Sequence, residues 1–160
     1  MTAGTSANGD CLICAMEDAE DDVVVARDDL WALENVPGYE VPGWFVLRSR
    51  RHALGLPGLT PEELSTFGPR ARDAIAAVTE VTGAPATYLM TFGENYRHFH
   101  ALIPARGEDV PADRRTGDIL KLRTERADPD AARRLVPAVR EAHRRLSQPA
   151  ASGEVEPNGS

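Results

Sequence analysis

Phe92-Gly93-Glu94-Asn95-Tyr96-Arg97-His98-Phe99-His100-Ala101-Leu102-Ile103-Pro104-Ala105-Arg106 holds two of the chain's four histidines, two residues apart. In a β-strand, residues i and i+2 point to the same face. A strand over His98 to Ile103 therefore sets two imidazoles side by side, with Phe99, Ala101 and Ile103 on the opposite, apolar face. An apolar core does not account for such a polar pair. The stretch is the expected functional centre, and the rest of the chain is read outward from it.

Upstream, Thr87-Tyr88-Leu89-Met90-Thr91-Phe92 is expected to be a strand. Joined to the His98 strand through Gly93 to Arg97, it should pair antiparallel. Before it, Thr60-Pro61-Glu62-Glu63 opens a helix: Thr60 can cap, Pro61 suits the first turn, and Glu63 completes a capping box. Leu64, Phe67, Ala71, Ile75 and Val78 keep helical spacing, Gly68-Pro69 weakens one turn, and Gly83 supplies a C-cap. Further upstream lie three short apolar runs, Val23 to Ala26, Leu30 to Leu33 and Trp44 to Leu47. The first two form a hairpin about Asp28-Asp29, and the third ends at Arg48, Arg50, Arg51 and His52. Downstream, an Arg-rich polar loop runs to Thr116. A last helix is expected from Asp128 or Pro129 to Leu146, interrupted at Pro137. The acidic run Glu17 to Asp22 reads as a solvated face. The pattern predicts one α+β domain over residues 11–147: a five-stranded antiparallel sheet, one main helix and a C-terminal helix. Residues 1–10 are expected to be a disordered leader and residues 148–160 a disordered tail.

Composition narrows the function classes. A length of 160 residues suits a single core, and a net charge of −7 argues against a general nucleic-acid or membrane-surface binder. A small phosphorylated ligand held by a few local groups stays compatible. The N-terminus has no basic segment followed by an apolar run, and no apolar stretch approaches membrane-spanning length. A cytoplasmic location is expected, where Cys11 and Cys14 would remain reduced.

Cys11-x-x-Cys14 has zinc-knuckle spacing. Thioredoxin-type redox chemistry is the weaker reading, because the pair precedes the first strand instead of following one. Two further zinc ligands are available: His52, at the end of an apolar strand, and one of His98 and His100. His143 sits among Arg140, Arg144 and Arg145 and is expected at the surface. A Cys2His2 set leaves no position for water and is structural. The histidine not spent on the metal is then a nucleophile or general base.

Taken together, these residues resemble the histidine triad (HIT) family. The matching features run in family order from Cys11 to about Leu120: Cys-x-x-Cys, Arg-Arg-His after a strand, a capped helix, strand and Gly-Glu, His-x-His, a Pro/Arg end, and a Pro-Ala-Asp-Arg-Arg loop. The resemblance implies an antiparallel meander with a helix behind it, often a homodimer. It assigns one structural zinc to Cys11, Cys14, His52 and His98, choosing His98 over His100. It makes His100 the nucleophile in a nucleotidyl hydrolase or transferase that cleaves a phosphorus–oxygen or phosphorus–nitrogen bond. Glu34, Asn35, Glu94, Asn95 and Arg106 fall where family members hold substrate. The sequence departs from the family at Leu102 (the third histidine), Glu34 (the ribose aspartate), Trp44 (a histidine) and Glu94-Asn95 (a Gln/Ser pair). These departures motivate two alternatives: a HIT-fold enzyme recruited to different chemistry in specialised metabolism, and a non-catalytic zinc-stabilised binding module.

Overall fold

The computed structural model describes residues 9–149, so most of the expected leader and tail lies outside the described residues. Five strands, β1 (Val24–Arg27), β2 (Trp31–Glu34), β3 (Trp44–Ser49), β4 (Ala86–Thr87) and β5 (His100–Arg106), form one sheet in the order β1-β2-β3-β5-β4. Every pairing is antiparallel. The helices are α1 (Leu12–Ala15), α2 (Pro61–Thr82), α3 (Leu122–Glu125) and α4 (Pro129–Leu146). The fold is α+β, with the first three strands and the two long helices close to where hydrophobic periodicity put them. Among the described residues no helix is long and apolar enough to cross a membrane.

Alternation along the strands divides the sheet into two faces. Trp31, Leu33, Phe45, Leu47, Phe99 and Ile103 pack one face against α2 and α4. Here Trp31, Phe67 and Phe99 meet with ring centroids 5.2–6.0 Å apart. The other face carries Trp44, Val46 and Leu102, covered by Ile13 and Met16 from the N-terminal turns and by Ile119 and Leu122 from the segment after β5.

The caps of α2 form as the residue types dictate. Thr60 Oγ1 accepts from the Glu63 amide at 3.2 Å, and the Glu63 carboxylate accepts from the Thr60 amide at 2.8 Å. Gly83 closes the helix at φ 64°, a conformation that side chains disfavour. Leu64, expected on the buried stripe, is 48% exposed, because Glu63 takes the inward position and is held there by Arg51 at 2.9–3.0 Å. Pro137 does not interrupt α4. It lies on the exposed side, where water can serve the carbonyl it frees, while Ala132, Val136, Val139 and Ala142 bury the other side.

The expected strand over Thr87 to Phe92 survives as β4 plus an isolated bridge between Met90 and Leu102. Pro104 is the cause. The Tyr88 amide donates to the Pro104 carbonyl at 3.0 Å, but Pro104 has no N–H to return the bond. Pairing resumes in the same register at Met90 and Leu102, which exchange bonds of 2.9 and 2.7 Å. His98 precedes β5 and bridges to Leu54 instead.

A buried ion network crosses β1, β2 and β3. Glu34, fully buried, accepts from Arg48 Nε at 2.8 Å and Nη2 at 3.2 Å, and from Arg27 Nε at 2.9 Å. Glu17, expected to be solvated, reaches Arg48 at 3.4 Å and Arg50 at 3.0 Å. Partial burial works to raise the Glu17 pKa, but the two arginines prevail and hold it below the usual carboxylate range. His143, expected at the surface, is half-buried and faces Asp73, Arg70 and Asp28.

Two consequences are measurable. Glu34→Gln leaves the buried Arg48 with only the longer contact to Glu17 and should cost about 3–5 kcal/mol in urea unfolding; a loss under 1 kcal/mol would show that the pair does not organise the sheet. Burial, the dominant influence, holds the His143 pKa below its ordinary 6.5, against the opposing carboxylate of Asp73. The unfolded chain therefore binds a proton first, and stability falls as the pH drops below about 6.5. His143→Gln should lose less stability than the wild type between pH 7 and 5. Parallel pH profiles would rule this role out.

Candidate functional site

Three separate segments bring four ligating side chains together. Cys11 stands at the N-cap of α1, so one helical turn sets Cys14 beside it. His52 follows the end of β3, and His98 lies just before β5. Their donor atoms all fall within 4.8 Å of one another. Cys14 Sγ is 3.1 Å from His52 Nδ1 and 3.3 Å from His98 Nδ1, and Cys11 Sγ is 3.6 Å from His98 Nδ1. Tetrahedral zinc with bonds of about 2.0 and 2.3 Å puts neighbouring N and S ligands roughly 3.5 Å apart, so the cluster has the dimensions such an ion needs.

Its electrostatics also suit a metal. His98 Nε2 lies 2.6 Å from the Ser49 carbonyl, which can only accept, so Nε2 carries the hydrogen and Nδ1 turns a lone pair to the cluster. Burial holds the His98 pKa below its usual value, against the effect of that carbonyl, and keeps the ring neutral. Burial, then the hydrogen bond and charge of Cys11, push the Cys14 thiol up to about 11. A metal must therefore displace its proton.

His100 is oriented by a different carbonyl. Its Nδ1 lies 2.6 Å from the backbone oxygen of His98 and so carries a hydrogen, which leaves Nε2 as the nitrogen free to act. Thr91 Oγ1 donates to the His100 carbonyl at 2.8 Å and steadies the strand. His100 lines a cavity of about 380 Å³. Leu102 lies in its wall, where a polar third group would stand, and is 8% exposed.

Glu94 and Asn95, expected at the substrate, line this cavity. Glu34, Asn35 and Arg106, expected beside them, do not. The Glu34 carboxylate faces Arg27 and Arg48 inside the protein. Asn35 is 4% exposed, and its amide nitrogen is 3.4 Å from the Trp44 carbonyl. Arg106 is at the opposite end of β5 from His100. The cavity is instead mostly apolar, with walls from Ile13, Val36, Tyr39, Met90, Tyr96 and Leu120. Arg123 stacks on the outside of that wall, 4.1 Å from the Tyr39 ring centroid. These walls come from segments far apart in the chain, and no local motif marks them.

A scan against protein-family models finds no match, and no curated protein matches either. Solved structures do. A hypothetical histidine triad nucleotide-binding protein from Sulfolobus tokodaii is 17% identical with a TM-score of 0.66, over 85% of this chain and 93% of that one. A zinc-bound histidine triad family protein from Mycobacterium smegmatis is 20% identical with a TM-score of 0.61, over 86% and 95%. A uridylyltransferase mutant is 17% identical with a TM-score of 0.61, over 84% of this chain and 47% of its own. With its five-stranded antiparallel sheet and two long helices, the chain shares the fold of these histidine triad proteins.

Proposed function

We propose that the protein is a zinc-stabilised hydrolase or transferase in which His100 attacks the phosphorus of a nucleotide-type substrate. The observation that carries this is the orientation of His100: Nδ1–H is fixed on the His98 carbonyl, and Nε2 is left to the cavity. In the first step Nε2 forms a bond to phosphorus as the bond to the leaving group breaks. The leaving group departs with that electron pair and takes its proton from water or from the cavity. The imidazolium that forms keeps its Nδ1–H on the His98 carbonyl, which stabilises the positive charge. Water or an acceptor then cleaves the phosphorus–nitrogen bond and restores His100. Leu102 can donate no proton, so leaving groups that need none favour this site. Support for a nucleotide-type substrate comes from the histidine triad nucleotide-binding protein and the uridylyltransferase that share the fold.

Cys11, Cys14, His52 and His98 would hold the zinc. With four protein ligands it adds no catalytic position. It ties the N-terminal turn, the end of β3 and the start of β5 together, and so fixes the strand that presents His100.

The cavity favours a second reading. Among the described residues its lining includes no lysine or arginine and one carboxylate, Glu94. That suits a neutral or cationic apolar ligand better than a polyphosphate, and points to the same nucleophile used on a different substrate.

Metal analysis should find about one zinc per chain. Cys14→Ser should lose both the metal and thermal stability, and a chelator should lower the wild-type melting point in the same way. A zinc-free wild type of unchanged stability would refute the assignment. For the reaction, the protein is incubated with nucleoside phosphoramidates, dinucleotides and sugar nucleotides, then quenched and weighed by mass spectrometry. A nucleotidyl adduct on His100 is expected, and His100→Ala should lose it together with roughly 10³-fold or more of turnover while keeping its zinc. Turnover that survives in His100→Ala would dismiss the nucleophile. Binding of neutral aromatic compounds with no response to any nucleotide would select the second reading.

A further inference from the structure

The arginines around the end of β5 divide into two groups. Arg114 is paired with Asp113 and Glu125, at 2.9 Å each. Asp118 is paired with Lys121 at 2.9 Å. Among the described residues neither Arg106 nor Arg115 has a carboxylate within ion-pair distance. Arg115 Nε donates to the Val110 carbonyl at 3.0 Å, which leaves its two terminal nitrogens. Arg106 Nε is buried without a hydrogen-bond partner.

Tyr88 follows β4, which pairs with β5 up to Arg106, and its hydroxyl reaches the residue after Arg115. Its hydroxyl accepts from the Thr116 amide at 3.2 Å, and so keeps its own hydrogen to donate. That amide, against slight burial and together with Arg106 and Arg115, holds the phenol below its ordinary pKa. Thr116 itself sits at φ 55°, the one non-glycine residue among those described with positive φ. A β-branched residue in that region is strained and persists where its surroundings hold it.

We propose that Arg106, Arg115 and Tyr88 form a second site, separate from the His100 cavity, that takes a small oxyanion of the phosphate type. Guanidinium forks match the spacing of phosphate oxygens, and a phenolic hydroxyl supplies one more donor. The site is not the far side of the cavity. Arg106 lies six residues along β5 from His100, about 20 Å at strand rise, and none of the three residues lines the cavity. Its frame nevertheless reaches the cavity wall. Tyr88 is two residues from Met90, and the turn Thr116–Lys121 carries Leu120; both Met90 and Leu120 line the cavity. An oxyanion joining this strand edge to this turn stiffens that wall, so the occupant regulates the cavity and does not react in it. The inference is independent of the reaction proposed for His100.

Calorimetric titration of the full chain with inorganic phosphate in low-chloride buffer tests it. One saturable site is expected in the wild type and, unchanged, in His100→Ala and Arg114→Gln. Arg115→Gln and Arg106→Gln should each weaken binding at least tenfold. Arg115→Lys, which keeps the charge, should weaken it less, separating lost contact from lost folding. Glycerol phosphate should compete with phosphate, whereas acetate should bind at least tenfold more weakly. Hydrogen exchange of amides 116–121 should slow when phosphate is bound. Absence of saturable binding, binding that survives the Arg106→Gln/Arg115→Gln double variant, or loss of binding in His100→Ala would overturn the proposal. Acetate binding equal to that of phosphate would overturn the ligand class, and unchanged exchange would overturn the coupling.

Discussion

Two backbone carbonyls decide how His98 and His100 differ. The Ser49 oxygen takes the Nε2 hydrogen of His98, so that ring offers Nδ1 to the cysteines. The His98 oxygen takes the Nδ1 hydrogen of His100, so that ring offers Nε2 to the cavity. Identical side chains two residues apart thus present opposite nitrogens to different surroundings. A neutral imidazole has one donor and one acceptor, and fixing the donor fixes the direction of the lone pair. The rest of the fold serves this arrangement: β3 supplies the Ser49 oxygen, and register across β3 and β5 sets it opposite the histidine edge.

That register rests on a polar interior as much as on an apolar one. Arg48 lies opposite His100 in the β3–β5 pairing, and its guanidinium turns to Glu34 on β2. Burying a carboxylate between two guanidiniums is tolerable only when hydrogen bonds replace the lost water. The network makes that replacement at Glu34 with bonds from both Arg48 and Arg27. It also explains why Glu34 and the acidic run misled as isolated letters. Glu34 precedes Asn-Val-Pro, where the family resemblance puts a substrate residue, and Glu17 opens a run of acids that reads as solvated. Both are drawn inward by arginines distant in the chain, and distant partners leave no local pattern.

Local chemistry was legible wherever it was self-sufficient. The capping box of α2 needs only Thr60 and Glu63, and its stop needs only Gly83. Alternation placed Phe99 and Ile103 in the core beneath the helices, with Ala101 buried between them. It misjudged β4 because Pro104, on the partner strand, withholds a ladder bond. It misjudged Pro137 because a helix tolerates proline on a wet face when the opposite stripe is buried.

By itself the sequence determined the element types, the α+β class and a metal-ligating set of Cys11, Cys14, His52 and one of His98 and His100, because capping, periodicity and donor chemistry act within a few residues or through side-chain identity. Only the tertiary structure decided which nitrogen each histidine presents, which wall encloses His100 and which charges are spent inside the protein. Glu34 is consumed by Arg27 and Arg48, which come from the strands on either side of its own. Those outcomes depend on distances between segments that meet only when the sheet closes. No property of a residue's chain neighbours encodes them one position at a time.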